Sequence, residues 1–227
     1  ALIYLGFSSF TGTPKSAWGV PMATDLPFVL IALSFFPSSV AKRLRIFLLA
    51  LAIADDVGSI LALGVVTSSQ GGIHPTIIGT ILGLAWGARG FDVMKKVAYF
   101  FALPLFLIAT VSTTFDINTT VFGRPIVWEL MLARMIGKPV GIVCGALVGY
   151  GILKMTHEHA LRLRMKELVT AGVIGTLGLD VSLIFANVAI ESPIQQSFAI
   201  MAIFLTIPIS IVGVVFARYF LTRATAA

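Results

Sequence analysis

Seven long apolar runs divide this 227-residue chain, and the connectors between them alternate in basicity without exception. The runs cover residues 18–36, 46–67, 73–88, 97–115, 126–153, 169–190 and 198–216. A shorter apolar piece, residues 1–10, precedes them; it is too short to cross a bilayer, which takes about 20 helical residues. Connector 11–17 holds only Lys15, whereas 37–45 holds Lys42, Arg43 and Arg45. Segment 68–72 has no basic residue and 89–96 has three. Segment 116–125 has only Arg124, while 154–167 has Lys154, Arg162, Arg164 and Lys166. Segment 191–197 has none, and the tail carries Arg218 and Arg223. Under the positive-inside rule the basic-rich set faces the cytoplasm, which puts the C-terminus there.

The expected class is therefore an all-α, polytopic membrane protein with about seven transmembrane helices, residues 1–227 forming one transmembrane domain. Composition agrees: 58% of residues are hydrophobic and 11% charged, where soluble domains run to about 25% charged. It excludes disorder, collagen-like and disulfide-rich scaffolds and coiled coils. The net charge of +6 would point to nucleic acid in a soluble chain, but a nucleic-acid patch would not alternate along the sequence. Cys144 is the one cysteine, so no internal disulfide is possible, and its small apolar neighbours suggest a packed thiol. The chain opens at Ala1 within apolar sequence and reads as an internal fragment.

Six charges fall inside the runs rather than between them: Asp25, Asp55, Asp56, Asp180, Arg134 and Lys138. Left unpaired and unhydrated, they would cost on the order of 15 kcal/mol in total, so they are expected to face a polar cavity or one another. Asp55 and Asp56, in LALAIADDVGSILAL, point about 100° apart on a helix, so one can line a water path while the other meets a partner. Adjacent acids titrate as a coupled pair, and a carboxylate that both titrates and ligates a hard cation is the chemical minimum for exchanging protons against Na+ or Li+.

Asp25 lies between Pro21 and Pro27, whose missing backbone donors interrupt the helix; Thr24 and Asp25 stand in the break and can serve the freed backbone groups. A second break is expected at Gly172, Gly175 and Gly178, ahead of Asp180, Ser182 and Asn187, although this glycine spacing also suits close helix packing. Paired broken helices are the sequence sign of a midplane site in transporters. Lys138, followed by Pro139 deep in its run, needs a carboxylate, and Asp55 or Asp56 is the natural partner. Arg134, one turn earlier, has Glu129 or lipid headgroups within its expected reach.

The segments ATDLPF, LALAIADDVGSI, GGIHPTIIGTILG, YFFALPLF and IGKPVGI, with the glycine-rich run before Ser182, resemble consecutive pieces of the bacterial NhaA-type sodium/proton antiporters, in family order over nearly the whole chain. The resemblance implies inverted repeats, two discontinuous helices crossing near the midplane, and Na+ or Li+ exchanged for H+ across the bacterial inner membrane for sodium and pH homeostasis. It assigns cation and proton binding to Asp55, Asp56 and Thr24, with Na+ or Li+ at Asp56 and Asp55. It assigns an ion pair to Lys138 and Asp55 and helix-end compensation to Lys138 and Asp25, and leaves Asp180 as an additional midplane acid. No cofactor is implied. The implied partners are the lipid bilayer, monovalent cations and protons, with a homodimer left open and no nucleic acid.

The chain departs from the family pattern in three ways: the opening helices are absent, two helices are missing between residues 67 and 73, and two residue types differ. Asp180 stands where a threonine is common, and Thr110 where an asparagine is. The extra acid could alter cation preference or compete for Lys138. His74 reads as a boundary histidine at a span entrance. His157 and His159 are spaced i, i+2 and do not share a helical face for a metal; their segment reads as an amphipathic cytoplasmic connector. Asn118-Thr119-Thr120 is a glycosylation pattern only in a glycosylating host. The alternatives carried alongside are a proton-coupled carrier of another small solute, an ion-gated channel or sensor, and an inactive truncated homologue. An enzyme is not expected: HExxH, GxSxG and Cys/His clusters are all missing.

Overall fold

Prolines and glycines decide where the helices of this chain stop. The computed structural model describes residues 1–68, 121–155 and 163–223, with isolated positions 78, 79, 81, 97, 100, 101, 104, 105 and 108 between them. Every regular element among the described residues is helical. α1 covers Leu2–Thr11, α2 Leu26–Ser34, α3 Ser38–Ser68, α4 Pro125–Leu132, α5 Lys138–Met155, α6 Met165–Ile174, α7 Asp180–Ala189 and α8 Pro193–Arg223. A 3-10 turn, Lys15–Gly19, precedes the irregular stretch 20–25, where Pro21 stands. Pro27 sits in the first turn of α2, where its missing N–H would lack a helical acceptor anyway. Residues 175–179 separate α6 from α7. α4 runs into α5 through a π-turn, Ala133–Gly137.

Apolar side chains gather in two cores. Tyr4, Val20, Ile126, Val127 and Leu130 pack with Leu183, Phe185, Ile200 and Ile203 in the first. Val29, Leu33, Leu44 and Leu48 pack with Leu168, Ile174 and Val214 in the second. α8 contributes to both, tying them together. The two irregular stretches lie at the boundary: Val20 and Leu179 belong to the first core, Val29 and Leu177 to the second. Polar backbone is thus set between two apolar masses, and its hydrogen bonds must be found locally. α5 and α6 approach closely, because a Cβ on Gly172 would come within 2.9 Å of Pro139 Cα.

Among the described residues two stretches, Pro125–Ile152 and Pro193–Leu221, are long and apolar enough to cross a bilayer by themselves. The outward side of α8 presents Ile211, Val212, Val215 and Phe216, each more than half exposed, a surface suited to lipid tails. The helix ends do not coincide with the ends of the expected apolar runs. The connector 37–45 is mostly helix, since α3 begins at Ser38, and α8 begins at Pro193 and runs past residue 216 to Arg223. Nothing after Pro37 breaks the chain, so the helix continues beyond its apolar run. Pro208 inside α8 does not end that helix either. Cys144 is exposed rather than packed: small residues surround it in sequence, but they do not decide which face turns inward. The expected spans 73–88 and 97–115 lie outside the described residues apart from the isolated positions, as do His74, Thr110, Asn118, His157 and His159.

Candidate functional site

Helix ends in the interior expose carbonyls at one end and N–H groups at the other, each needing a partner. The irregular stretches 20–25 and 175–179 supply partners to each other. Asp25 N–H donates to Leu177 O at 3.1 Å, and the buried Thr24 hydroxyl donates to Gly175 O at 3.2 Å. In the other direction, Asp25 Oδ2 accepts the N–H of Leu179 at 2.5 Å and of Asp180 at 3.1 Å. An anion at the start of α7 is where the helix dipole favours it. Gly178 makes this approach possible, because a Cβ there would strike the Ala23 carbonyl.

Two cations complete the arrangement, both presented by the π-turn and the residue after it. Arg134 is 2% exposed; its Nε donates to Thr176 O at 3.1 Å, and its guanidinium lies against Gly178. Lys138 Nζ donates to Ala23 O and lies 3.6 Å from Asp55 Oδ2. Carbonyls of the two irregular stretches therefore meet positive charge, and the N–H groups at the start of α7 meet negative charge. Among the described residues Asp56 is in no ion pair, although it lies within electrostatic reach of Asp55, Asp25 and Lys138. Asp180 is within electrostatic reach of Asp25 and Asp56. Ser59 and Ser182 are buried with hydroxyls that no described residue satisfies. Among the described residues no three or more of His, Cys, Asp and Glu come together as a ligand set.

The structure thus brings Thr24, Asp25, Asp55 and Lys138 together with the 175–180 stretch. Two expectations are corrected. Arg134 does not pair with Glu129 or reach the membrane surface: Glu129 accepts from Thr11 and Thr13 instead, and Arg134 turns inward to the 175–179 stretch. Lys138 is not contested by Asp180 among the described residues, because its ammonium goes to Asp55 and Ala23 O. Thr176 was missed by sequence reasoning; its carbonyl takes Arg134 and its hydroxyl lies 2.9 Å from that of Ser210. No sequence signal marks it, since a threonine after a glycine in an apolar run has no special spacing.

Residues 1–70 and 66–217 match the model of the family described as Na+/H+ antiporter 1. The two matched stretches meet at residues 66–70, beside the 68–72 connector. The chain is 28% identical to Na+/H+ antiporter NhaA 1 of Flavobacterium johnsoniae, over 98% of this chain and 72% of that protein. It is 26% identical to Na+/H+ antiporter NhaA 2 of Clavibacter michiganensis, over 83% and 59% respectively. It is 27% identical to Na+/H+ antiporter NhaA of Bifidobacterium breve, over 76% and 49%. The alignments thus span from about half to about three quarters of the curated relatives' own length.

Proposed function

The chain belongs to the Na+/H+ antiporter 1 family, and from that premise we propose that it exchanges Na+ or Li+ for H+ across the bacterial inner membrane, serving sodium and pH homeostasis. In this reading the protein is multi-pass with a cytoplasmic C-terminus. The stretches 15–34 and 165–189 are two discontinuous membrane helices, and the fold is built from inverted repeats of about seven spans. Cation and protons compete for Asp55 and Asp56, with Thr24 beside them; Asp25 and Lys138 compensate the helix ends at the crossing.

The observation that carries the reading is the contrast within the acid pair. Lys138 sits 3.6 Å from Asp55, while Asp56 is in no ion pair among the described residues. A neutralised acid beside an unneutralised one gives a cation a defined place to bind and a defined charge to displace. When a cation binds at Asp56, the proton held there leaves. If the field of that cation also loosens the Asp55–Lys138 pair, a second proton can be exchanged through the lysine. The reverse sequence on the other side of the membrane completes a cycle in which cation and protons never occupy the pair together.

The test is dequenching of a pH-sensitive dye in everted vesicles or proteoliposomes on addition of Na+ or Li+. Cation-dependent proton movement that disappears in Asp56→Asn supports the proposal. No such movement by the wild-type chain, shown to be inserted in the membrane, refutes it.

A further inference from the structure

At the end of the molecule where α3 and α6 begin and α8 ends, two hollows lie side by side. One, of about 340 Å³, is lined by Arg43 of α3, by Arg164 and Lys166 at the start of α6, and by one acid, Glu167. The other, of about 470 Å³, runs between α6 and α8 past Val169, Val173, Gly213, Phe216 and Phe220. Met165, Lys166 and Leu221 line both, so the two share a wall. The charges in the first hollow do not cancel. Glu167 is buried and already engaged, accepting the backbone N–H of Arg164 at 2.8 Å and pairing with Arg43. Arg43 gives it one nitrogen of a guanidinium that has further donors to offer. Arg164 and Lys166 are exposed and in no ion pair among the described residues. Cations in excess of the one carboxylate, with N–H donors on each, suit a phosphate.

The second hollow has the opposite character. Phe216 and Phe220, both more than half exposed, pack with ring centres 4.9 Å apart along its wall. Gly213 lets α8 come close to α6, since a Cβ there would sit 3.2 Å from Val173 Cγ1. From Met165 to Val173 the groove follows about 12 Å of α6, close to the roughly 15 Å depth of one leaflet's hydrocarbon. A soluble anion has no use for such a groove, and a neutral lipid has no use for the cations. A molecule with both parts fills both hollows. Resting on the multi-pass reading above and not on the exchange, we propose that this corner binds one anionic phospholipid of the cytoplasmic leaflet. Its phosphate is held by Arg164, Lys166 and the outward donors of Arg43, and one acyl chain lies in the groove between α6 and α8. A lipid seated there joins the first turn of α6 to the last turns of α8, and α6 leads directly into the 175–179 stretch.

The test is lipid binding by the full chain purified in a neutral detergent, followed by native mass spectrometry and by melting temperature. The probes are phosphatidylglycerol, phosphatidylcholine of the same acyl chains, and inorganic phosphate. Phosphatidylglycerol is expected to bind saturably, with one molecule held more tightly than the rest, and to raise the melting temperature; the other two probes are expected to do neither. Arg164→Gln combined with Lys166→Gln should weaken that binding about thirtyfold, or roughly fivefold for each basic side chain. Lys42→Gln combined with Arg45→Gln removes the same charge from exposed positions of α3 outside both hollows, and should leave binding as in wild type. Val169→Phe narrows the groove without changing any charge, and should weaken phosphatidylglycerol as well. Every substituted position is exposed, so all variants are expected to melt as wild type does without lipid.

Equal binding of phosphatidylglycerol and phosphatidylcholine would overturn the proposal by removing the headgroup's part in it, and unchanged affinity in Val169→Phe would overturn it by removing the chain's. Inorganic phosphate that matched the lipid's effect would make this a soluble-anion site, and an equal loss in the Lys42 and Arg45 variant would reduce it to diffuse attraction; either result overturns the lipid site. Binding is read without exchange, so a failure here strikes the lipid site alone, and a failure of cation-dependent proton movement strikes the exchange reading alone.

Discussion

Replacing Asp25 separates the two jobs its carboxylate does at the crossing. Its side chain is 5% exposed, and one oxygen accepts the N–H groups of both Leu179 and Asp180. Asp25→Ala leaves both donors buried and unpaired, at about 1–3 kcal/mol each, so a loss of about 2–6 kcal/mol is expected. Asp25→Asn keeps an oxygen in the same place and gives up only the charge. Hydrogen bonds to a charged acceptor contribute about 1 kcal/mol more than neutral ones, so across two bonds the loss is about 2 kcal/mol. The assay is thermal unfolding of the purified protein in detergent, followed by tryptophan fluorescence at equal scan rates. The expected order of stability is wild type, then Asn, then Ala. Asn and Ala variants that melt together would show that the charge, not the acceptor, is what the break requires. An unchanged Ala variant would refute the reasoning outright, because it would mean that α7 starts without Asp25.

Further outcomes follow from the same geometry. Lys138→Ala leaves Asp55 buried without its partner and Ala23 O without its donor, a loss of about 3–5 kcal/mol on melting; unchanged stability in both Lys138→Ala and Asp55→Asn would count against the pair. Gly178→Ala forces a methyl into the Ala23 carbonyl and should cost about 1–3 kcal/mol or more, with Thr24 and Asp25 displaced and exchange reduced. At the other end of α6, Glu167 accepts Arg164 N–H at 2.8 Å and pairs with the half-exposed Arg43. Glu167→Ala should therefore destabilise by about 1–2 kcal/mol through the lost cap, whereas Arg43→Ala should cost under about 1 kcal/mol; equal effects would argue that the ion pair, not the cap, dominates.

Among the described residues the helical class was legible because bilayer-spanning runs must be apolar, and the irregular stretches 20–25 and 175–179 because Pro21, Pro27 and the glycines before Asp180 leave few ways to continue a helix. Helix ends were less legible. Hydropathy locates the hydrocarbon layer, whereas α3 and α8 extend past it through Lys42, Arg43, Arg45 and Arg218, which are good helix formers in an interface. Within the site, the need of Lys138 for an acid could be read from its depth in an apolar run, whereas the choice of Asp55 over Asp56 came only from the family resemblance. That choice depends on the rotation of α3 against α5. Arg134 was misread for a related reason: sequence spacing places it on the face of Lys138, but the carbonyl it meets belongs to a segment some forty residues away.

The π-turn at Ala133–Gly137 holds one more residue than an α-turn would, so the halves on either side are phased independently. α4 keeps Ile126, Val127 and Leu130 in the first core, while α5 keeps Pro139 against Gly172. Removing one residue from this stretch would let the helix close regularly, and each end could retain the face it now presents. What would change is the width of the turn that carries Arg134 and delivers Lys138. In this helix, the position where an insertion or deletion disturbs packing least is the one where it disturbs the charges most.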